Sequence, residues 1–165
     1  MIVNIYKNIF LGDIHSLKED HDQYDIKYVF SLLDNQENIM HDNHYFFEFE
    51  DNLMFSKELL LSFLEIYTII QNTKQNILIH CYEGRSRSVS IIYLLLMTLY
   101  NLDYNTCYKL VKFKRPNINI NTGFEKVLRE FSKYVFTKPP GIIDLKLILI
   151  EIINKNNLNK WDNIK

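Results

Sequence analysis

One stretch constrains this chain more than any other: a buried strand that runs through a short polar loop straight into an apolar helix. "NILIHC" (76–81) is short, apolar and rich in β-branched residues, as a fully buried strand requires. From about Ser88 to Tyr100 the chain is apolar again, over a length that suits a helix. Between them stand one thiol, two guanidiniums and a glycine, in "CYEGRSR". The fold must bury both flanks and still bring that polar loop to a surface.

The remaining elements alternate around this unit. "IVNIY" (2–6) and "NIFLGD" (8–13) read as short strands, and "SLKED" opens a short helix. "IKYVFSLL" (26–33) and "HYFFEF" (44–49) are further strand candidates. "SKELLLSFLEIYTIIQ" (56–71) places apolar residues on helical spacing behind Ser56 as N-cap. "DYNTCYKLVKFK" (103–114), which stops at Arg115-Pro116, and "NTGFEKVLREFSKYVF" (121–136) add two helices. Strands alternating with helices, then helices accumulating, predict an α/β domain: a central mixed, mostly parallel sheet flanked by helices. Pro139-Pro140-Gly141 is the only breaker cluster that reads as a boundary, so a main domain over 1–138 and a helical extension over 139–165 are expected.

Composition narrows the class. A length of 165 residues suits one domain with a substantial core, and a chain 47% hydrophobic is not disordered. A net charge of -1 supplies no basic field for nucleic acid. No signal-peptide pattern opens the sequence, no apolar run reaches the length of a membrane span, and no lipidation box closes it. The expected location is cytoplasmic or nuclear, with no nucleic-acid or membrane partner. Two cysteines, Cys81 and Cys107, are expected to form neither a disulfide framework nor a metal site in a reducing compartment.

The crossover over 45–81 joins parallel strands, whose carboxyl ends share one edge, where open α/β sheets bind ligands. The loop after His80 then enters a helix at Ser88. Backbone N–H groups and the helix dipole make such a turn an anion cradle. Gly84 permits close backbone approach, and Arg87 offers a planar two-pronged donor that matches phosphate oxygens. A free thiol is only a few per cent ionised at neutral pH, and cradles of this type favour the thiolate. Nucleophile and phosphate clamp within seven residues imply a cysteinyl-phosphate intermediate.

The pattern His80-Cys81-x-x-Gly84-x-Ser86-Arg87-Ser88 resembles the signature of dual-specificity phosphatases, small members of the cysteine-dependent protein tyrosine phosphatase superfamily. "NIFLGD", "FED" (49–51) and "VKFKRPNININ" (111–121) resemble further family segments, so the likeness covers most of residues 1 to 136. The length is similar to that of the small atypical members. Glu83 stands where the family often has Ala, and Ile120 where Pro is usual.

The resemblance implies a protein tyrosine phosphatase-like fold and hydrolysis of phosphotyrosine and phosphoserine or phosphothreonine on protein substrates. Cys81 would be the nucleophile, Arg87 the phosphate ligand, and Ser88 the donor to the departing thiolate. Tyr82, Glu83, Gly84, Arg85 and Ser86 would complete the phosphate loop. His80 would order that loop from behind, and Asn121 would brace it. Asp51 would be the general acid that protonates the leaving oxygen and later accepts a proton from water. No metal or other cofactor is required.

Several alternatives stay open. Glu50 and Asp34 compete with Asp51 for the acid role. Arg85 is expected to point outward, free or meeting substrate. Cys107 reads as a buried apolar residue, with a redox partner for Cys81 as the alternative. The tail "IIDLKLILIEII" either packs on its own domain or pairs with a second copy as a homodimer. An RNA 5′-phosphatase or a phosphoinositide phosphatase could use the same cradle, but the loop lacks the Lys-rich and Arg-Thr-Gly sequences of those relatives. A phosphate-binding pseudophosphatase is the rival outside the enzyme class.

Overall fold

The structure is a computed structural model that describes residues 1–35, 42–135, 141–156 and 158. Five strands form one sheet: β1 (Val3–Tyr6), β2 (Ile9–Gly12), β3 (Ile26–Leu33), β4 (His44–Glu48) and β5 (Asn76–His80). Their order is β1-β2-β5-β3-β4. Only the β1–β2 pair is antiparallel; β2–β5, β5–β3 and β3–β4 are parallel. The expected mixed, mostly parallel sheet is therefore present. The crossover from β4 to β5 joins two parallel strands, but they are not neighbours, because β3 lies between them. Sequence gives the direction of such a crossover and not how many strands it passes.

Among the described residues five α-helices pack around the sheet and one another: α1 (Ser56–Ile70), α2 (Arg87–Tyr100), α3 (Tyr104–Lys114), α4 (Thr122–Val135) and α5 (Ile142–Lys155). α2 starts one residue earlier than the sequence pattern suggests. Every residue from Val89 to Met97 is buried, which explains the continuous apolar run. This helix packs against α1, α3, α4 and the sheet, so no face is left for water. Phe63, Phe124 and Phe131 fill the space between α1, α2 and α4. The other face of the sheet carries a smaller cluster around Phe10, Ile26, Val29 and Leu78. Both faces being covered accounts for the largely apolar strands β3 and β5.

The expected boundary at Pro139-Pro140 lies outside the described residues; Gly141 stands just before α5 as its N-cap. α5 packs against α1 and α4, and Leu145, Leu149, Ile152 and Ile153 join the main core. Asn156 Nδ2 donates to Glu130 Oε2 at 2.8 Å, pinning the end of α5 to α4. Leu147 and Ile150 lie on its exposed face. No helix of the described residues is long and apolar enough to cross a membrane.

Candidate active site

Parallel direction puts the ends of β2, β3, β4 and β5 on one edge of the sheet. Gly12, Leu33, Glu48 and His80 are the last residues of those strands. The loops that follow them converge there. Asp34, Asp51, Cys81, Glu83, Arg85 and Arg87 all line a single cavity of about 440 Å³.

Cys81 leaves β5 at the floor of this cavity and is only 2% exposed. Its Sγ accepts a hydrogen bond from the Gly84 N–H at 3.2 Å and lies 3.1 Å from Ser88 Oγ. The loop keeps its shape because its carbonyls are tied from outside. Ile14 N–H donates to the Tyr82 carbonyl and Asn119 N–H to the Arg85 carbonyl, both at 2.9 Å. Arg115 Nη2 donates to the Glu83 carbonyl at 3.0 Å. In a trans peptide the next N–H points opposite to the carbonyl. Outward carbonyls at 82, 83 and 85 therefore turn the N–H groups of Glu83, Gly84 and Ser86 inward, toward the sulfur side. Gly84 makes the turn at φ +66°. A Cβ there would also sit 2.5 Å from the Gly12 carbonyl oxygen, so backbone angle and space both demand glycine.

Ser86 is the N-cap of α2, yet its side chain caps nothing in that helix. Its hydroxyl donates instead to Asp51 Oδ1 at 2.7 Å. The first-turn N–H groups of α2 are thus left without a side-chain acceptor, beside a buried thiol. That is an arrangement suited to an anion.

Arg87 is the first residue of α2 and is buried. Nη1 donates to the Phe49 carbonyl at 2.9 Å and is ion-paired with Asp34. Its Nε is buried with no hydrogen-bond partner among the described residues. One side of the fork is fixed by the ends of β3 and β4, and Nε remains as a donor.

Asp51 follows β4 and is held by two donors on one oxygen: Ser86 Oγ and Asn121 Nδ2, each at 2.7 Å from Oδ1. Asn121 in turn accepts from the Phe124 N–H at 2.9 Å, which caps α4. Its own N–H donates to Ser86 Oγ at 3.1 Å. Asn121 therefore braces the loop through Ser86 and holds Asp51 as well. Of the competing acids, Asp34 lines the cavity with an oxygen on Arg87, whereas exposed Glu50 accepts from the Asn52 side chain.

At the rim, Tyr82 and Glu83 are exposed. Arg85 is not a free outward charge: Nε donates to the Asn117 carbonyl at 2.8 Å, and Nη1 pairs with Glu83 at 3.5 Å. Behind the loop, His80 is fully buried. Burial pushes its imidazole down to about 4. Its Nδ1 meets the Cys81 carbonyl at 3.3 Å and its Nε2 meets Ser31 Oγ. Cys107 is fully buried under the Tyr93 carbonyl, and burial pushes its thiol up to about 12. That is the behaviour of a packed core residue.

Sequence reasoning missed two contributors, Arg115 and Ser31, and weighed Asp34 only as a rival acid. Arg115 holds the loop from outside, Asp34 pairs with Arg87, and Ser31 contacts His80. Ser31 did carry a signal, as the one small polar residue in an apolar strand.

Comparisons with known proteins give the family and the fold. Residues 9–134 match the family model of the dual specificity phosphatase catalytic domain. The chain belongs to that family. It is 29% identical over 125 residues to the human "Dual specificity protein phosphatase 6", a match covering 72% of this chain and 32% of that one. The chain thus spans about a third of the length of that relative. Among solved structures, DUSP15 superposes with a TM-score of 0.71 at 22% identity, covering 91% of this chain and 95% of that one. PTPMT1 in complex with PI(5)P superposes with a TM-score of 0.66 at 16% identity, covering 81% and 96%. These likenesses establish an α/β fold of the protein tyrosine phosphatase type.

Proposed function

We propose that this chain hydrolyses phosphate monoesters on protein tyrosine and serine or threonine through a cysteinyl-phosphate intermediate. One observation carries the reading. The Cys81 sulfur takes hydrogen bonds within a loop of inward N–H groups, at a helix start left uncapped, with Arg87 in the same loop.

The steps follow from these positions. The substrate phosphoryl group enters the cradle, where inward N–H groups and the Arg87 fork take its three non-bridging oxygens. The Cys81 thiolate attacks phosphorus, an S–P bond forms and the ester P–O bond breaks. The leaving oxygen takes a proton from Asp51, without which an alkoxide or phenoxide is a poor leaving group. Water then attacks the phosphorus and gives its proton to Asp51. The S–P bond breaks, and the Ser88 hydroxyl donates to the departing thiolate. Two donors on Oδ1 leave Oδ2 of Asp51 as the oxygen that carries the proton.

The test is turnover of an aryl phosphate by the wild type and by Cys81→Ser. Loss of at least about 10³-fold on removing the sulfur is expected. Equal turnover in both would overturn the mechanism. A panel of phosphotyrosyl and phosphothreonyl peptides, an RNA 5′-phosphate and phosphoinositides then reads the substrate class. Preference for either non-protein substrate would refute the protein-directed assignment while leaving the cysteine chemistry intact.

A further inference from the structure

Behind the phosphate loop, three side chains from three strands form an unbroken line. His44 of β4 lies with Nε2 2.6 Å from Ser31 Oγ of β3. The same Ser31 hydroxyl meets Nε2 of His80 at the end of β5. His80 Nδ1 then meets the Cys81 carbonyl. Ser31 and His80 are fully buried, and His44 is partly exposed at the sheet edge.

The proton positions in this line follow from donor and acceptor counting. A carbonyl only accepts, so His80 Nδ1 carries hydrogen. Burial keeps the ring neutral at ordinary pH, so Nε2 is bare and must accept. The Ser31 hydroxyl owns one hydrogen and therefore donates it to His80 Nε2. Its oxygen is then free to accept from His44, whose Nε2 must carry hydrogen. Every bond points the same way, from the sheet edge to the carbonyl of the nucleophile.

We propose that His44 and Ser31 are positioning residues that fix the tautomer of His80 and, through it, the Cys81–Tyr82 peptide. With hydrogen on Nδ1, the Cys81 carbonyl is drawn back toward His80. The Tyr82 N–H, trans to it, is thereby turned into the cradle. In the other tautomer a bare Nδ1 faces the carbonyl oxygen, lone pair against lone pair, and that peptide is released.

This inference deepens the phosphatase reading of the same loop, and its first readout requires no turnover. Imidazole ¹⁵N spectra of the full chain should show His80 as the neutral Nδ1–H tautomer. His44→Gln keeps a donor and should retain that state, with kcat/KM on an aryl phosphate within about 2-fold. His44→Glu supplies only an acceptor. The chain then reverses, His80 Nε2 becomes protonated, and kcat/KM falls about tenfold with KM little changed. Ser31→Ala removes the donor to Nε2 and leaves only the Cys81 carbonyl to hold the tautomer, so the Nε2–H form should gain population. A wild-type His80 bearing hydrogen on Nε2 would overturn the proposal. So would a tautomer identical in wild type, His44→Glu and Ser31→Ala. If the tautomers shift as stated and no phosphate ester is hydrolysed, the catalytic reading fails and the positioning chain stands.

Discussion

Lowering the pH should destabilise this protein through one buried imidazole, and the size of the effect follows from its environment. His80 is fully buried, and its folded-state value of about 4 lies below the ordinary 6.5. Above pH 6.5 both folded and unfolded chains hold it neutral, and it contributes no pH dependence. Below that, the unfolded chain takes up a proton that the folded chain refuses, so stability falls with falling pH. Each unit costs about 1.4 kcal/mol, giving about 3 kcal/mol by the time the folded ring itself titrates. Against a total of about 5–15 kcal/mol for a domain, that loss is large. Urea denaturation followed by far-UV circular dichroism, from about pH 7 to about pH 4.5, measures it. The wild type should lose about 2–3 kcal/mol more over that range than His80→Gln, whose side chain does not titrate. Parallel pH dependence in the two proteins would refute the reasoning. So would a His80 resonance that titrates near 6.5 in the folded state.

Gly84→Ala should cost about 1–3 kcal/mol in stability, read as a fall in denaturation midpoint, because φ +66° and the Gly12 carbonyl 2.5 Å away both oppose a Cβ. A variant as stable as the wild type would mean the loop does not need that conformation. Asp34→Asn should tighten competitive inhibition by inorganic phosphate about 2- to 5-fold, since a half-exposed carboxylate then no longer competes for Arg87. Weaker inhibition would show that Asp34 instead orients the guanidinium for the anion.

Much of the fold was legible because its signals are local. β5 and α2 announce themselves by apolar runs of strand and helix length, and the loop between them carries its chemistry within seven residues. Strand order was not legible. Nothing between Phe49 and Asn76 reports that β3 separates β4 from β5, because a crossover of that length reaches either the next strand or the one beyond. That Cys81, Arg87 and Asp51 line one cavity was legible because parallel direction sends strand ends to one edge. Arg115, Ser31 and the pairing of Asp34 with Arg87 escaped for the opposite reason. Arg115 acts on the Glu83 carbonyl 32 residues away, and Ser31 on His80 across 49. Their side chains say only that they are polar, and their partners are set by tertiary packing.

Another non-local feature is the hydroxyl of Ser86, and it explains why the Asp51 carboxylate and the cradle belong to one unit. As an N-cap, a serine ordinarily satisfies the second or third N–H of its helix. Here the hydroxyl turns to Asp51 instead, while the Asn121 N–H and side-chain amide bind Ser86 and Asp51 together. Capping the helix and holding the acid are competing uses of one oxygen, and the fold has chosen the second. The N–H groups at the start of α2 therefore stay open to an anion because the carboxylate has claimed the cap. Asn121 makes that choice durable, since its own Oδ1 is fixed by the Phe124 N–H at the start of α4. The placement of the acid over the loop thus rests on the first turn of α4, whose Gly123 passes so close to the acid-bearing segment that a Cβ would lie 2.4 Å from Leu53 Cβ.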